Sequence, residues 1–176
     1  MYLKKLILFL IISLGCEMKQ GSPAMAQVRD TKMYESLREA VLHAETAEFL
    51  YAREGRFPID SLLMLKKLKK LWVYCPKLKL GALENIGQLQ SLEVLRLFDV
   101  ASQALPPSIG QLKNLQFLEL ESCKNLAKLP KSLKNLTKLN KLEISLNPSR
   151  KIDPVIFQLS SLDTLIYASD HLKEVG

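Results

Sequence analysis

The sequence predicts an α/β solenoid: an arc of short parallel strands forming a concave β-sheet, with helical or 3-10 segments on the convex side and a short N-terminal capping helix. Three observations point there. Blocks of the form Leu-x-x-Leu-x-Leu restart at Ala47, Leu68, Leu92, Leu115, Leu139 and Leu162, at intervals of 21, 24, 23, 24 and 23 residues. Inside each block the apolar positions alternate with the period of a strand, and the anchors that follow recur every three residues, the period of a tight helical turn. Hydrophobic residues make up 48% of the 176-residue chain but aromatics only 7%, so aliphatic side chains, mostly leucine, must build the core. A unit of two dozen residues cannot bury its own leucines; stacking on neighbours does.

In chain order, residues 1–26 read as an export signal and the start of a tether. Lys4 and Lys5 form a basic region and Leu6 to Leu14 an apolar run broken only by Ser13. Such a run is too short for a membrane-spanning helix, which needs about 20 apolar residues. Two processing sites compete. Ile12-Ser13-Leu14-Gly15-Cys16 resembles the lipobox of bacterial lipoproteins, with Cys16 lipidated as the new N-terminus, although Ser13 stands where leucine is usual. Ala24-Met25-Ala26 has the small-x-small form that signal peptidases cut, but Glu17 and Lys19 would lie between it and the apolar run. An uncleaved segment is the third alternative. The lipobox reading is favoured, which places the protein in the cell envelope as a membrane-anchored lipoprotein ahead of a periplasmic or secreted form.

Residues 27–46 complete the tether and supply the cap. Ser36-Leu37-Arg38-Glu39 is a capping-box pattern, and Leu37, Ala40, Val41 and Ala44 then line one helical face. Residues 47–176 form the repeats. The clearest blocks are Leu92-x-x-Leu95-x-Leu97, Leu115-x-x-Leu118-x-Leu120 and Leu139-x-x-Leu142-x-Ile144. Return segments follow, such as Leu105-Pro106-x-x-Ile109-Gly110-x-Leu112 and Leu129-Pro130-x-x-Leu133-x-x-Leu136. Proline starts such a segment where a missing N–H costs little. The run Leu65-Lys66-Lys67-Leu68-Lys69-Lys70-Leu71 is then a junction of two repeats, not a membrane-binding helix.

These blocks resemble the leucine-rich repeat proteins, in the 23-residue class found in bacterial exported proteins and lipoproteins and in plant immune receptors; Leu118 to Pro130 is especially similar to the plant receptors. The resemblance covers Ala47 to the C-terminus and implies a solenoid that binds a protein partner. In the family the ninth repeat position usually holds Asn or Cys, which bonds the backbone of the turn. Here it is Gly55, Pro76, Val100, Cys123, Asn147 and Asp170, and only the last three can do so. The last repeat begins at Leu162 and the chain stops at Gly176 in mid-turn. That suggests a frayed end, self-association through the uncapped repeat, or a fragment of something longer.

No catalytic constellation emerges. His43 and His171 fall far apart, and the chain has no Gly-rich phosphate loop, Cys-x-x-Cys or His-Glu-x-x-His. No catalytic residue, cofactor or metal site is expected. Cys75 and Cys123 lie two strands apart, roughly 10 Å at the usual strand spacing, beyond disulfide reach.

Recognition is expected on the concave sheet, from the side chains between the inward leucines. There lie Phe49, Tyr51, Arg53, Trp72, Tyr74, Arg96, Phe98, Phe117, Glu119, Glu121 and Glu143, including six of the chain's twelve aromatics. Aromatics beside arginine are the composition of interface hot spots; the alternative is that they pack across neighbouring strands. Glu119, Glu121 and Glu143 should repel in register, relieved by Lys141 or a basic partner; a cation site is the minor reading. The acidic patch argues against nucleic acid despite a net charge of +7. The excess lysines (Lys66, Lys67, Lys113, Lys128, Lys131, Lys134, Lys138) fall on turns and the far wall as a solvated face. The function expected is a non-enzymatic, exported interaction scaffold; the alternative is a fragment or regulatory module of a larger receptor or enzyme.

Overall fold

The computed structural model describes residues 6–7, 31–53, 58–76, 83–101, 103–123, 125–145 and 152–168. Cys16, the Ala24–Ala26 site, His171, Asn147 and Asp170 lie outside them. The alternating leucines do what period two demands: they form β3 (Phe49–Ala52), β4 (Lys70–Tyr74), β5 (Val94–Phe98), β6 (Phe117–Glu121), β7 (Lys141–Ser145) and β8 (Thr164–Ala168). All pair in parallel with their sequence neighbours and without a register slip. Leu71, Leu95, Leu118, Leu142 and Leu165 therefore sit side by side as one inward row, and Val73, Leu97, Leu120, Ile144 and Tyr167 as the next. Both rows are buried.

The period-three anchors close the core from the convex side. Ile59–Leu62 (α2) is a single α-helical turn. The later return segments are 3-10 turns at Ile86–Gln88, Pro107–Gln111, Lys131–Asn135 and Pro154–Gln158. Pro106 and Pro130 stand one residue ahead of their turns in extended conformation. Ile86, Ile109, Leu133 and Ile156 point inward from these turns and are buried.

Adjacent turns touch backbone to backbone. A Cβ on Gly110 would collide with the carbonyl oxygen of Ser132, and one on Gly87 with that of Ser108; glycine is required by close approach. Side chains then brace each turn to the next. Asn114 Nδ2 donates to the Gln90 carbonyl at 2.8 Å, Ser91 Oγ to Lys66 at 2.8 Å and Ser132 Oγ to Pro107 at 2.7 Å. Lys113 Nζ donates to the Gly110 and Asn135 carbonyls, both at 3.1 Å, and Lys138 Nζ to Asn114 Oδ1 at 2.7 Å. Two of the lysines expected on a merely solvated wall are thus part of the turn bonding. Each such bond adds a modest net contribution, about 1 kcal/mol.

At the N-terminal end α1 (Leu37–Leu42) begins as its capping box predicts, with Ser36 Oγ accepting from the Glu39 N–H at 3.4 Å. The Glu39 carboxylate turns to Lys32 at 3.3 Å. Leu37 and Ala40 are buried, and Val41 and Ala44 pack against the same core. A strand that the periodicity did not announce, β2 (Met33–Tyr34), precedes this helix and pairs in parallel with β3. The region read as tether and helix therefore also adds a rung to the sheet. At the other end β1 (Leu6–Ile7) runs parallel to β8, Leu6 opposite Thr164 and Ile7 opposite Leu165. The edge expected to be open is paired there by the chain itself.

At the ninth position Val100 and Cys123 are both buried. Cys123 Sγ lies 3.6 Å from the Leu97 carbonyl and 3.5 Å from that of Glu121, the bonding role the resemblance implies. Burial pushes its thiol up to about 11, so it is an inert structural thiol. No disulfide joins Cys75 to Cys123. The preceding residues, Asp99 and Ser122, share a left-handed backbone, with φ of 52° and 54°. Their N–H groups donate to the Glu121 and Ser145 carbonyls at 2.9 and 3.0 Å, extending the ladder one step beyond the strands.

Candidate functional site on the concave sheet

The unbroken register sorts the concave side chains into three rows. The first is Met33, Phe49, Lys70, Val94, Phe117, Lys141 and Thr164. The second is Tyr51, Trp72, Arg96, Glu119, Glu143 and Ile166. The third is Tyr74, Phe98, Glu121, Ser145 and Ala168. The candidate concave residues other than Arg53 fall in these rows, and the rows are not equally open.

The aromatic half is largely self-buried. Phe49, Tyr51 and Trp72 form a second hydrophobic cluster, with Met33 and Phe98 packed on it. Their exposures are 0%, 8% and 7%. Phe49 and Tyr51 each meet Trp72 edge-on, with ring centroids 4.8 and 5.8 Å away, the arrangement the ring quadrupoles favour. These three pack across neighbouring strands, the alternative weighed for the concave aromatics. On the inner side of an arc the side chains of adjacent strands converge, and bulky rings bury one another. Trp72 Nε1 is enclosed with no hydrogen-bond partner.

Arg96 and Glu119 lie at the centre. The Arg96 guanidinium sits 4.6 Å from the Trp72 ring centroid and 5.1 Å from that of Phe117, a double cation–π contact. Its Nε is 3.0 Å from Glu119 Oε2. The N–H does not point along that line, since neither atom has a hydrogen-bond partner, so the contact is an ion pair alone. Sequence reasoning named Arg96 as an exposed hot-spot arm; the structure folds it into the surface.

Glu119 is itself buried. Its carboxyl is pushed up to about 7, first by burial and then by the Glu143 and Glu121 charges, against the pull of Arg96 and Lys141. Glu121 is raised as well, by burial and by Glu143, with Arg96 opposing. Lys141 relieves the repulsion as expected: its Nζ is 3.5 Å from Glu143 and 4.3 Å from the Phe117 ring centroid.

Burial is confined to Phe49 of the first row and to Tyr51, Trp72 and Glu119 of the second; the third row has no buried member. Tyr74 is 40% exposed, Phe98, Glu121 and Ser145 are half-buried, and Arg53 is exposed with its guanidinium over Tyr51 at 4.5 Å. Phe117 and Glu143 are also half-buried. Among the described residues no group of three His, Cys, Asp or Glu side chains could hold a metal ion, and no helix is long and apolar enough to cross a membrane. His43 stacks on Tyr34 at 5.5 Å.

Residues 37–174 match the family model of the leucine-rich repeat region. A leucine-rich repeat protein of Leptospira interrogans superposes with a TM-score of 0.67 at 29% identity, over 79% of this chain and 36% of that one. An internalin of Listeria monocytogenes aligns with a TM-score of 0.47 at 16% identity, over 76% of this chain and 44% of that one. In sequence, TMV resistance protein N of Nicotiana glutinosa is 44% identical over 57 residues, 32% of this chain and 5% of that protein. The chain thus spans less than half the length of each. Leucine-rich repeat proteins are generally non-enzymatic scaffolds for protein interaction, and with the match across residues 37–174 and the stacked parallel strands, this chain belongs to the leucine-rich repeat family.

Proposed function

We propose that this chain is an exported, non-enzymatic scaffold, anchored in the membrane by lipid on Cys16, that binds one protein partner through the open row of its concave sheet. The observation that carries the binding surface is that the third row alone has no buried member and includes the exposed Tyr74. Tyr74 and Glu121, with Arg53 beside them, present aromatic, acidic and basic groups to solvent and Phe98 is half-buried at the cluster's edge, whereas Phe49, Tyr51 and Trp72 are engaged in packing. Tyrosine and arginine are the side chains most enriched at interface hot spots. Replacing Tyr74 and Phe98 together by Ala is expected to lose the partner while keeping the circular dichroism of the fold. Undiminished capture by the folded double variant refutes the surface.

The anchoring rests on the Leu6 to Leu14 run and the lipobox-like Ile12 to Cys16. Cys16→Ser is expected to move the protein from the membrane to the soluble fraction, and an unchanged distribution refutes lipidation. Cleavage at Cys16 or after Ala26 would remove Leu6–Ile7 from the edge of β8. Such an exposed edge is a template for another strand, hence for self-association of the processed form. A second reading, a module of a larger receptor or enzyme, is supported by the small share of each relative that the chain spans.

A further inference from the structure

The centre of the concave sheet holds five charged groups. Glu119 on β6 stands in register between Arg96 of β5 and Glu143 of β7. Glu121 follows it two residues along its own strand, and Lys141, two residues before Glu143, also bears on it. Three carboxylates share two cations, so the cluster carries one net negative charge when all are ionised. Glu119 is the buried member, hence the one whose charge is most costly to keep.

We propose that Glu119 is a proton-operated gate on the recognition surface: ionised, it holds Arg96 in the slot between Trp72 and Phe117; protonated, it frees that guanidinium toward Glu121 and the open row. Three observations support it. Arg96 Nε and Glu119 Oε2 are in ion contact at 3.0 Å and neither atom has a hydrogen-bond partner, so the contact weakens as the charge is lost. The Arg96 charge already bears on Glu121 as well as on Glu119, which gives the freed cation a second carboxylate. And Glu119 is poised near neutrality, at about 7, so a small fall in pH takes the cluster from one negative charge to none. This inference rests on recognition at the Tyr74–Phe98–Glu121 row only for its consequence, a partner affinity that changes across neutral pH.

Trp72 is the chain's one tryptophan, so its fluorescence reads the Arg96 contact in the intact protein with no partner present. Failure here is therefore distinct from failure of the binding surface. The expected result for the full chain is a transition centred near pH 7, retained when His43 and His171 are both replaced by Gln. Glu119→Gln and Arg96→Gln should each lose it and give the low-pH spectrum throughout. A transition that survives in folded Glu119→Gln, or that disappears with the histidines, overturns the proposal. Carbon-13 titration of the glutamate carboxyls in the unmodified protein decides independently of any variant. One carboxyl with its midpoint near neutrality is expected; a full set titrating in the ordinary range refutes the gate.

Discussion

Trp72→Ala and Tyr74→Ala remove aromatic side chains two residues apart on the same face of β4, and the structure assigns them opposite consequences. Trp72 is 7% exposed, meets Phe49 and Tyr51 edge-on and lies beneath the Arg96 guanidinium. Truncating a buried ring of this size costs about 3–5 kcal/mol. Loss of the desolvated cation–π contact belongs to the same deletion and adds about 1 kcal/mol. Against a total stability of about 5–15 kcal/mol, that is a large fraction. Tyr74 is 40% exposed, so its removal costs about 1 kcal/mol or less. Urea unfolding followed by far-ultraviolet circular dichroism suits both variants, because one of them lacks the fluorophore. Trp72→Ala should shift the midpoint strongly and Tyr74→Ala barely, while capture of a partner should suffer in the folded Tyr74→Ala protein. Equal small shifts would show that the aromatic cluster is a free surface, and the division of the face into packed and open rows would be wrong.

Three further outcomes follow from the same geometry. Leu118→Ala, in the fully buried inward row between Leu95 and Leu142, should cost about 2–5 kcal/mol in urea unfolding. Gly110→Ala should destabilise by about 1–3 kcal/mol, because the new methyl meets the Ser132 carbonyl rather than open space; a neutral or stabilising result in the same assay would refute backbone contact between turns. The stability of the unmodified protein should fall as pH rises through neutrality. Glu119 binds its proton more tightly folded, at about 7 against 4.5, so its contribution is complete below pH 4.5 and lost as pH rises through 7. That contribution is on the order of 3 kcal/mol, and Glu119→Gln should flatten this slope in urea midpoints measured across the range.

The repeat frame was legible because stacking leaves leucine no other use. Two inward positions per strand and the period-three anchors of each turn must be apolar in every unit, and parallel register follows from equal units. The concave rows were legible as membership and not as exposure. Alternation says which side chains leave the core, but whether they meet solvent depends on what the adjacent strands carry. Phe49 and Trp72 stand where neighbouring rings cover them, whereas Tyr74 stands one step nearer the strand end. β2 escaped notice because Met33–Tyr34 is too short for alternation to register, and it belongs to no repeat block. The turn bonds of Asn114, Lys113 and Ser132 escaped because a polar residue in a turn looks the same whether it is solvated or bonded to a turn 22–25 residues away.

Arg96 explains why an aromatic cluster and an acidic one can occupy the same face. On the β4 side it meets the negative face of Trp72, and on the β6 side it meets the Glu119 carboxylate while Phe117 lies against it as well. A planar, delocalised, weakly hydrated cation can stack and pair at once; a lysine ammonium at this position could satisfy only one side well. Without this cation, Glu119 would stand buried between Glu121 and Glu143 with only Lys141 to offset them. The sequence of β4, β5 and β6 is thus constrained as a set at the second concave row, Trp72, Arg96 and Glu119, even though no inward leucine depends on it. Each repeat supplies the same frame, and the charge order across that row is written in positions the frame leaves free.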